Sequence, residues 1–381
     1  MPPASLLIKP VSGRCNLACS YCFYRDVASH RDRPDFGRMS LETAEHLIRG
    51  AFADAEGFCS FAFQGGEPTL AGLPFYRDFV RLVRKYNTGN IEVRLLIQTN
   101  GLLIDREWAE FLRDEDFLVG LSIDGPRMLH DLYRRSADGS GSFTRVMEGA
   151  RTLKEVGTKF NILCVIDGAT ADNPLAVHDF FRSRGFAWIQ YIPCIEDFDA
   201  SPEKPSWTLT PAAWATFQKA IFDAWYREIR SGNGTSVRYF DNLVDMAMGY
   251  PPESCGMAGR CTAYFTVEAD GSVFPCDFYV LDQWRMGNVK VDGFKAMMDS
   301  ETARRFVKSS EHVSPECRDC FAYPLCRGGC RRDREPFADG LPGVNRFCEG
   351  QKDFFAYAGQ RIMDLAAELR RGEVEARGHS G

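Results

Sequence analysis

Histidine is scarce in this sequence, and long apolar runs are missing from it. The six histidines stand far apart and show no paired spacing: His30, His46, His130, His178, His312 and His379. Metal chemistry in this protein is therefore expected to be thiolate chemistry, which favours zinc or iron–sulfur clusters. No apolar run approaches the roughly 18 residues that a membrane helix needs, so no membrane span is expected.

Basic charge is not in excess either, because the net charge is −6. A nucleic-acid-binding protein would carry clustered basic residues, so nucleic-acid binding is not expected. The first nine residues lack the charged segment and the apolar segment of a signal peptide. We therefore expect a cytoplasmic protein. Thiols stay reduced in the cytosol, so many cysteines there indicate metal ligands rather than disulfides.

Cysteine is the abundant residue, with 14 in the chain. Three of them form the run Cys15-x3-Cys19-x2-Cys22. Thiolates hold iron–sulfur clusters, and a cluster with four irons needs four ligands. This run supplies three, which leaves one iron open for a ligand that is not protein. An open metal position is typical of a catalytic site. A zinc knuckle or incidental core cysteines are the alternatives.

Short apolar runs alternate with helical patterns through the first half of the chain. The apolar runs predict strands at residues 6–9, 60–63, 92–98, 118–123, 161–166 and 188–192. Apolar spacing of three to four predicts helices at residues 41–55, 75–86, 106–114, 144–156 and 175–184. Such alternation predicts a parallel sheet, and six strands are too few for a closed eight-stranded barrel. We predict an α/β fold with a partial, open barrel; a doubly wound open sheet is the alternative.

Polar and glycine-rich residues follow most of the predicted strands. After the cysteine run, which follows the first strand, they occupy residues 64–68, 98–101, 122–126 and 194–195. Each segment could be only a turn. However, the ligands of parallel α/β folds gather at the C-terminal ends of the strands. We therefore expect the functional site at these strand exits, where Gly65 and Gly66 would let a ligand approach the backbone.

The C-terminal part of the chain holds eight more cysteines, which is enough for two four-cysteine sites. They are Cys255, Cys261, Cys276, Cys317, Cys320, Cys326, Cys330 and Cys348. Predicted strands at residues 264–267 and 273–276 flank Asp270-Gly271, a hairpin signal that would bring Cys276 beside Cys261. Spacing alone leaves zinc and iron–sulfur open for both sites.

Long helices are predicted at residues 211–230 and 351–370. Cys59 and Cys164 are predicted to be core residues.

Together, Cys15-x3-Cys19-x2-Cys22, Gly65-Gly66-Glu67-Pro68 and the eight C-terminal cysteines resemble radical S-adenosylmethionine (SAM) enzymes with a SPASM domain. The chain is most similar to the anaerobic sulfatase-maturating enzymes, over essentially its whole length up to about residue 370. Matching stretches include residues 5–10, 22–24, 60–69, 117–122, 160–165, 238–241 and 276–282. The resemblance implies a partial (β/α)6 radical SAM barrel with a linking helix over residues 1–234. It implies a SPASM domain over 235–350 and a C-terminal helix with a frayed tail over 351–381.

The resemblance also implies a set of site residues. Cys15, Cys19 and Cys22 would hold the four-iron cluster to which SAM binds. Two auxiliary four-iron clusters would be held by Cys255, Cys261, Cys276 and Cys330 and by Cys317, Cys320, Cys326 and Cys348. The contacts to SAM would be Tyr21, Gly66, Ser122, Arg134 and Ile195. Asp277 matches the general base of the family, and Tyr24, Gln64 and Asn100 lie at strand exits where the substrate peptide should sit.

The implied reaction is oxidation of a cysteine, in some members a serine, to Cα-formylglycine. The target is a Cys/Ser-x-Pro-x-Arg segment of an unfolded or nascent sulfatase. A 5′-deoxyadenosyl radical formed from SAM would take a hydrogen atom from the substrate Cβ. Asp277 would take the thiol proton, and an auxiliary cluster would accept one electron. We expect a monomer that is reduced by an electron donor such as flavodoxin or ferredoxin.

Two other hypotheses remain open. The chain could be another SPASM peptide-modifying radical SAM enzyme, which forms thioether or carbon–carbon crosslinks. The 14 residues before Cys15 leave no room for a leader-peptide-binding module, which argues against many such enzymes. The chain could also be an electron-transfer or zinc-scaffold protein with structural four-cysteine sites, but that hypothesis predicts no role for the strand-exit residues.

Overall fold

One ten-stranded sheet is the framework of the computed structural model, which describes residues 4–199, 203–232, 234–335, 337 and 340–378. Its strands are β1 (Ala4–Ile8), β2 (Phe58–Phe63), β3 (Glu92–Thr99), β4 (Leu118–Ser122), β5 (Phe160–Ile166), β6 (Trp188–Pro193), β7 (Ser236–Val237), β8 (Phe265–Val267), β9 (Ser272–Phe274) and β10 (Gly287–Asn288). They lie in the order β10-β9-β8-β1-β2-β3-β4-β5-β6-β7. Strands β1 to β6 are parallel neighbours in chain order. A doubly wound sheet would reverse its strand order at a switch point, whereas β1 to β6 follow one another without a reversal. The predicted partial barrel is therefore confirmed.

Helices connect the parallel strands and cover one face of the sheet. They are α1 (Phe23–Ser29), α2 (Leu41–Asp54), α3 (Leu73–Tyr86), α4 (Arg106–Asp114), α5 (Arg127–Tyr133), α6 (Phe143–Val156), α7 (Gly168–Ala171) and α8 (Pro174–Ser183). The sequence pattern predicted five of them, α2, α3, α4, α6 and α8, with boundaries within two residues because the signals are local, whereas the short helices α1, α5 and α7 were not predicted. Helix α2, for example, begins where the Ser40 side chain accepts a hydrogen bond from the Thr43 N–H, as an N-cap does. Its Leu47 and Ile48 are fully buried.

The sheet continues past the barrel at both edges, which the sequence does not predict. Strand β7 pairs with β6, and β8 of the C-terminal hairpin pairs in parallel with β1, placing Leu6 opposite Phe265. Unpaired strand edges favour such pairing because their backbone groups need partners. The hairpin itself, β8 with β9, is antiparallel as predicted. Cys276 and Asp277, which follow β9, are thereby anchored to the same sheet as the N-terminal strands.

The remaining helices belong to the second half of the chain. They are α9 (Pro211–Arg230), α10 (Arg238–Met248), α11 (Phe294–Met298), α12 (Glu301–Lys308), α13 (Pro315–Arg318), α14 (Tyr323–Cys326) and α15 (Cys348–Gly378). Helix α9 matches its prediction. Helix α15 begins at Cys348 and ends at Gly378, beyond the predicted 351–370, and residues 379–381 of the predicted frayed tail lie outside the described residues. Among the helices of the described residues, none has the length and apolar character to cross a membrane.

Candidate active site and cluster-binding cysteines

The loop that carries Cys15, Cys19 and Cys22 packs directly on the exit of strand β2. Gly66 allows this contact, because its backbone is left-handed, with φ +55°, and a Cβ there would collide with the carbonyl oxygen of Arg14. The N–H of Glu67 donates a hydrogen bond of 2.8 Å to the same carbonyl. The absence of a side chain at Gly66 therefore lets the cysteine loop of the chain itself approach the backbone.

Glu67 joins the exits of strands β2 and β3. Its buried carboxylate accepts hydrogen bonds of 2.7 Å from the Thr99 hydroxyl and from the Asn100 N–H. Burial raises the pKa of Glu67. The Asn100 side chain then donates to Asn16 Oδ1 at 2.8 Å, and its Nδ2 lies 3.7 Å from Cys15 Sγ. Asn100, a predicted peptide contact, is thus held against the cysteine loop.

The three thiols of the loop are free and influence one another. The pKa of Cys15 is raised to about 11 and that of Cys19 to about 12, mainly by burial and in smaller part by the neighbouring thiols. Metal ligation requires thiolates, so cluster binding here would release protons. The Leu17 N–H donates to Cys15 Sγ at 3.3 Å, and Arg134 Nη1 lies 4.0 Å from Cys19 Sγ. These donors suit thiolate ligands, so the residues present fit a three-cysteine cluster site.

Two of the predicted SAM contacts, Tyr21 and Arg134, meet at the buried carboxylate of Asp124. Arg134 Nε donates to Asp124 Oδ2 at 2.7 Å, and the Tyr21 hydroxyl donates to the same oxygen. The other oxygen accepts from the Val165 N–H at 2.9 Å. Asp124 therefore fixes both side chains, a role that sequence analysis missed, although Asp before Gly-Pro at a strand exit was a visible signal.

Two further predicted SAM contacts, Ser122 and Ile195, lie at the ends of strands β4 and β6, with β5 between them. Ser122 is the buried last residue of β4, and Ile195 follows β6. Ile195 lines a cavity of about 280 Å³ that also reaches Cys255 and Cys330. The exit of β6 therefore shares this cavity with Cys255 and Cys330.

Asp277 lies where three segments that are distant in sequence meet. Its Oδ2 accepts hydrogen bonds from the Tyr24 hydroxyl at 2.6 Å and from Gln64 Nε2 at 3.3 Å. Its Oδ1 has no hydrogen-bond partner among the described residues. Burial raises the pKa of Asp277, and the ammonium of Lys9, 3.8 Å from Oδ1, opposes that rise. The carboxylate thus has one oxygen that is occupied and one that can accept a proton.

Lys9, Glu268 and Arg31 form a charged group behind Asp277 that sequence analysis did not predict. All three side chains are buried, with Lys9 Nζ 3.3 Å from Glu268 Oε1 and Arg31 Nη1 2.8 Å from the same oxygen. The available signal was weak: Lys9 is a charged residue at the end of the first predicted strand, which is otherwise apolar. The missing side chain of Gly65 makes room for it, since a Cβ there would lie 2.5 Å from Lys9 Cε.

The inner face of the barrel borders a cavity of about 480 Å³. Gln64 and Gln190 line it, and Leu118 and Trp188 line it where strands β4 and β6 begin. Trp188 is 61% exposed, so this side of the cavity is accessible. Gln64, which lines this cavity, is also a hydrogen-bond partner of Asp277 and so connects the cavity wall to that carboxylate.

The eight C-terminal cysteines fall into two sets of four, and each set lines a cavity of its own. One is lined by Cys255, Cys261, Cys276 and Cys330, and the other by Cys317, Cys320, Cys326 and Cys348. Within the part of the chain that the structure describes, no group of three His, Cys, Asp or Glu side chains is arranged to bind a single metal ion. Each set of thiols surrounds a space instead. The two sets are those that the family resemblance implied, so the residues present fit two auxiliary clusters.

A parallel partial barrel with a three-cysteine loop at its strand ends and two four-cysteine cavities defines a radical SAM enzyme with auxiliary cluster sites. Family models agree with this class. The radical SAM superfamily model matches residues 10–181, and the iron–sulfur cluster-binding domain SPASM matches residues 255–321.

Comparison with individual proteins specifies the family. The chain is 42% identical to the cysteine-type anaerobic sulfatase-maturating enzyme of Clostridium perfringens, over 97% of this chain and 100% of that protein. It is 31% identical to the serine-type enzyme of Bacteroides thetaiotaomicron, over 98% and 94%. It superposes on native anSMEcpe with bound AdoMet and Cp18Cys peptide with a TM-score of 0.92 and 42% identity, over 97% and 100%. The chain therefore belongs to the anaerobic sulfatase-maturating enzymes.

Proposed function

We propose that this protein oxidises a cysteine of a sulfatase, within a Cys-x-Pro-x-Arg segment, to Cα-formylglycine. The observation that carries the proposal is the Asp277 carboxylate, which is buried, held on one oxygen by Tyr24 and Gln64, and open on the other. Identity to the cysteine-type relative is 42%, against 31% to the serine-type relative, which supports cysteine as the substrate.

The cofactors of this family supply the radical and redox chemistry, and the chain supplies orientation and a proton acceptor. When bound, a cluster on Cys15, Cys19 and Cys22 together with SAM provides the 5′-deoxyadenosyl radical, and the auxiliary clusters provide an electron acceptor. Asp277 Oδ1 receives the proton of the substrate thiol, since Oδ2 already accepts two hydrogen bonds. Loss of a hydrogen atom, a proton and an electron leaves a thioaldehyde, which water converts to the aldehyde and hydrogen sulfide.

Several further expectations about partners and organisation remain part of the proposal. The substrate peptide would enter through the barrel cavity beside Gln64, as an unfolded or nascent sulfatase segment. The protein would act in the cytoplasm as a monomer, reduced by an electron donor such as flavodoxin or ferredoxin. The division into residues 1–234, 235–350 and 351–381 is supported by the family matches, which fall inside the first two ranges.

The experiment that tests the activity is an anaerobic incubation with SAM, a reductant and a peptide carrying Cys-x-Pro-x-Arg. Mass spectrometry and a hydrazine probe should detect an aldehyde in place of the thiol, with sulfur released as sulfide. The control peptide carries alanine in place of the cysteine and should yield no aldehyde. A stable product that has lost two hydrogens, kept its sulfur and does not react with the hydrazine probe would contradict the proposal and support a crosslinking SPASM enzyme.

Asp277→Asn tests the base assignment. Removal of a general base lowers the rate about 10²–10⁴-fold, and SAM cleavage does not need this base. The variant should keep its iron, still release some 5′-deoxyadenosine with peptide present, and form little or no formylglycine. A normal formylglycine yield would show that Asp277 is only a structural neighbour of Cys276.

A further inference from the structure

The ammonium group of Lys9 lies in a buried cluster of four charges, and the proposed reaction assigns it no role. The side chains of Lys9 and Glu268 are 1% and 0% exposed, and their Nζ and Oε1 atoms are 3.3 Å apart. The other two charges are those of Arg31 and Asp277. Arg31 Nη1 lies 2.8 Å from Glu268 Oε1, and Asp277 Oδ1 lies 3.8 Å from Lys9 Nζ. Two cations and two anions therefore share this space.

Several contacts fix Lys9 in this cluster. Its N–H donates a hydrogen bond of 2.9 Å to the Val267 carbonyl, so the pairing of β1 with β8 holds its backbone. Its side chain passes over Gly65, where a Cβ would lie 2.5 Å from Lys9 Cε. Its Nζ lies 4.7 Å from the centre of the Tyr24 ring. Lys9 thus packs against Gly65, which follows Gln64, and against Tyr24. Gln64 and Tyr24 are the two residues that hydrogen-bond Asp277.

We propose that Lys9 is a positioning residue for this reaction, which orients the Asp277 carboxylate so that Oδ1 faces the substrate thiol. Tyr24 and Gln64 both bind Oδ2, and a carboxylate held by one oxygen alone is free to rotate. Lys9 attracts Oδ1 from 3.8 Å, which is too long for a hydrogen bond, so the lone pairs of Oδ1 stay available. The proposal rests on the proposed function, because it assigns the base to Asp277.

Lys9→Met removes the charge and keeps the unbranched shape and most of the length of the side chain. We expect full iron content and continued 5′-deoxyadenosine release. Misplacement of a reacting group by about 1 Å costs about 10²-fold, so formylglycine kcat should fall about 10- to 100-fold. The KM for the peptide should stay within about threefold, since peptide binding does not use Lys9. The decisive readout is the ratio of formylglycine to 5′-deoxyadenosine, which a merely structural role would leave unchanged.

The double variant Lys9→Met with Glu268→Gln separates positioning from charge balance. It leaves Arg31 and Asp277 as one cation and one anion, so the buried cluster is again neutral. We expect it to recover any stability lost by the single variant but not the product ratio. Recovery of the ratio would overturn the proposal, because Lys9 would then serve only to neutralise Glu268.

Two further outcomes would also overturn the proposal. One is a wild-type product ratio in Lys9→Met, and the other is loss of iron from both variants, which would assign Lys9 to folding. Asp277→Asn is measured in parallel. If it makes formylglycine normally, the base assignment fails and the Lys9 proposal fails with it. If Asp277→Asn loses formylglycine while Lys9→Met does not, only the role of Lys9 is refuted.

Discussion

Replacing Gly66 with alanine should remove the SAM-binding cluster and leave both auxiliary sites intact. A left-handed backbone costs a residue with a Cβ about 1–2 kcal/mol. The added methyl group also collides with the backbone carbonyl of Arg14, which cannot rotate away as a side chain would. Forcing an extra methyl group into a packed site costs about 1–3 kcal/mol. Together these two effects destabilise the native position of the cysteine loop by about 2–5 kcal/mol. The equilibrium between the native and the displaced loop should then shift by a factor of roughly 30 to several thousand.

The assay is the iron and acid-labile sulfide content of anaerobically reconstituted protein, with 5′-deoxyadenosine release as the functional readout. With three four-iron clusters the wild type should hold about twelve irons, and Gly66→Ala about eight. Gly13→Ala is the matched control on the same loop, because no atom lies within 4 Å of a Cβ there. It should keep its iron and its activity.

Wild-type iron content and 5′-deoxyadenosine release in Gly66→Ala would refute the argument from close approach. An equal loss in Gly13→Ala would also refute it, because the loop would then tolerate no substitution, whatever its contacts.

Three other predictions concern the cysteine run, the base and a buried histidine. Cys15→Ala, Cys19→Ala or Cys22→Ala should abolish 5′-deoxyadenosine release while about eight irons remain. Tyr24→Phe removes a hydrogen bond to a charged group, worth about 1.5–3 kcal/mol, so formylglycine formation should fall about 10- to 100-fold while SAM cleavage continues. Burial lowers the pKa of His130 to about 4, below the unfolded value of about 6.5. The stability that neutral His130 contributes is therefore present above about pH 6.5 and is lost as pH falls towards 4, by up to about 3 kcal/mol. Thermal unfolding of His130→Asn should depend less on pH over this range.

Each of these predictions has a result that would contradict it. Undiminished 5′-deoxyadenosine release from a variant of the cysteine run would place the reactive cluster elsewhere. Full formylglycine yield in Tyr24→Phe would show that its bond to Asp277 is not used in the reaction. An unfolding temperature of the wild type that falls between pH 6.5 and 5 no more than that of His130→Asn would show that His130 does not control this acid sensitivity.

Local signals were enough for the six strands of the barrel, for the longer helices and for the first cluster site. Helix α9 begins at Pro211, as predicted, because Thr210 caps it and apolar residues follow at helical spacing. The turn at Asp270-Gly271 predicted the hairpin of β8 and β9 for a similar reason, since a glycine with φ +91° suits it. Cys15, Cys19 and Cys22 lie within one short loop, so their spacing alone indicates a shared site.

Contacts between distant segments required the tertiary structure. Cys326 and Cys330 stand only four positions apart, yet they belong to different four-cysteine sets, because Gly328 and Gly329 turn the chain between them with φ +80° and +71°. Spacing could not separate them, and only the family resemblance implied the two sets.

The family resemblance named the residues at the centre of the proposed active site, but only folding brings them into contact. Tyr24 and Asp277 are 253 positions apart, and no periodicity or turn signal connects them. They meet because the hairpin that precedes Asp277 pairs with the first strand of the barrel. Burial removes the Lys9 ammonium from water, so its charge must be paired with carboxylates. These carboxylates are Glu268 and Asp277, which lie far from Lys9 in the sequence.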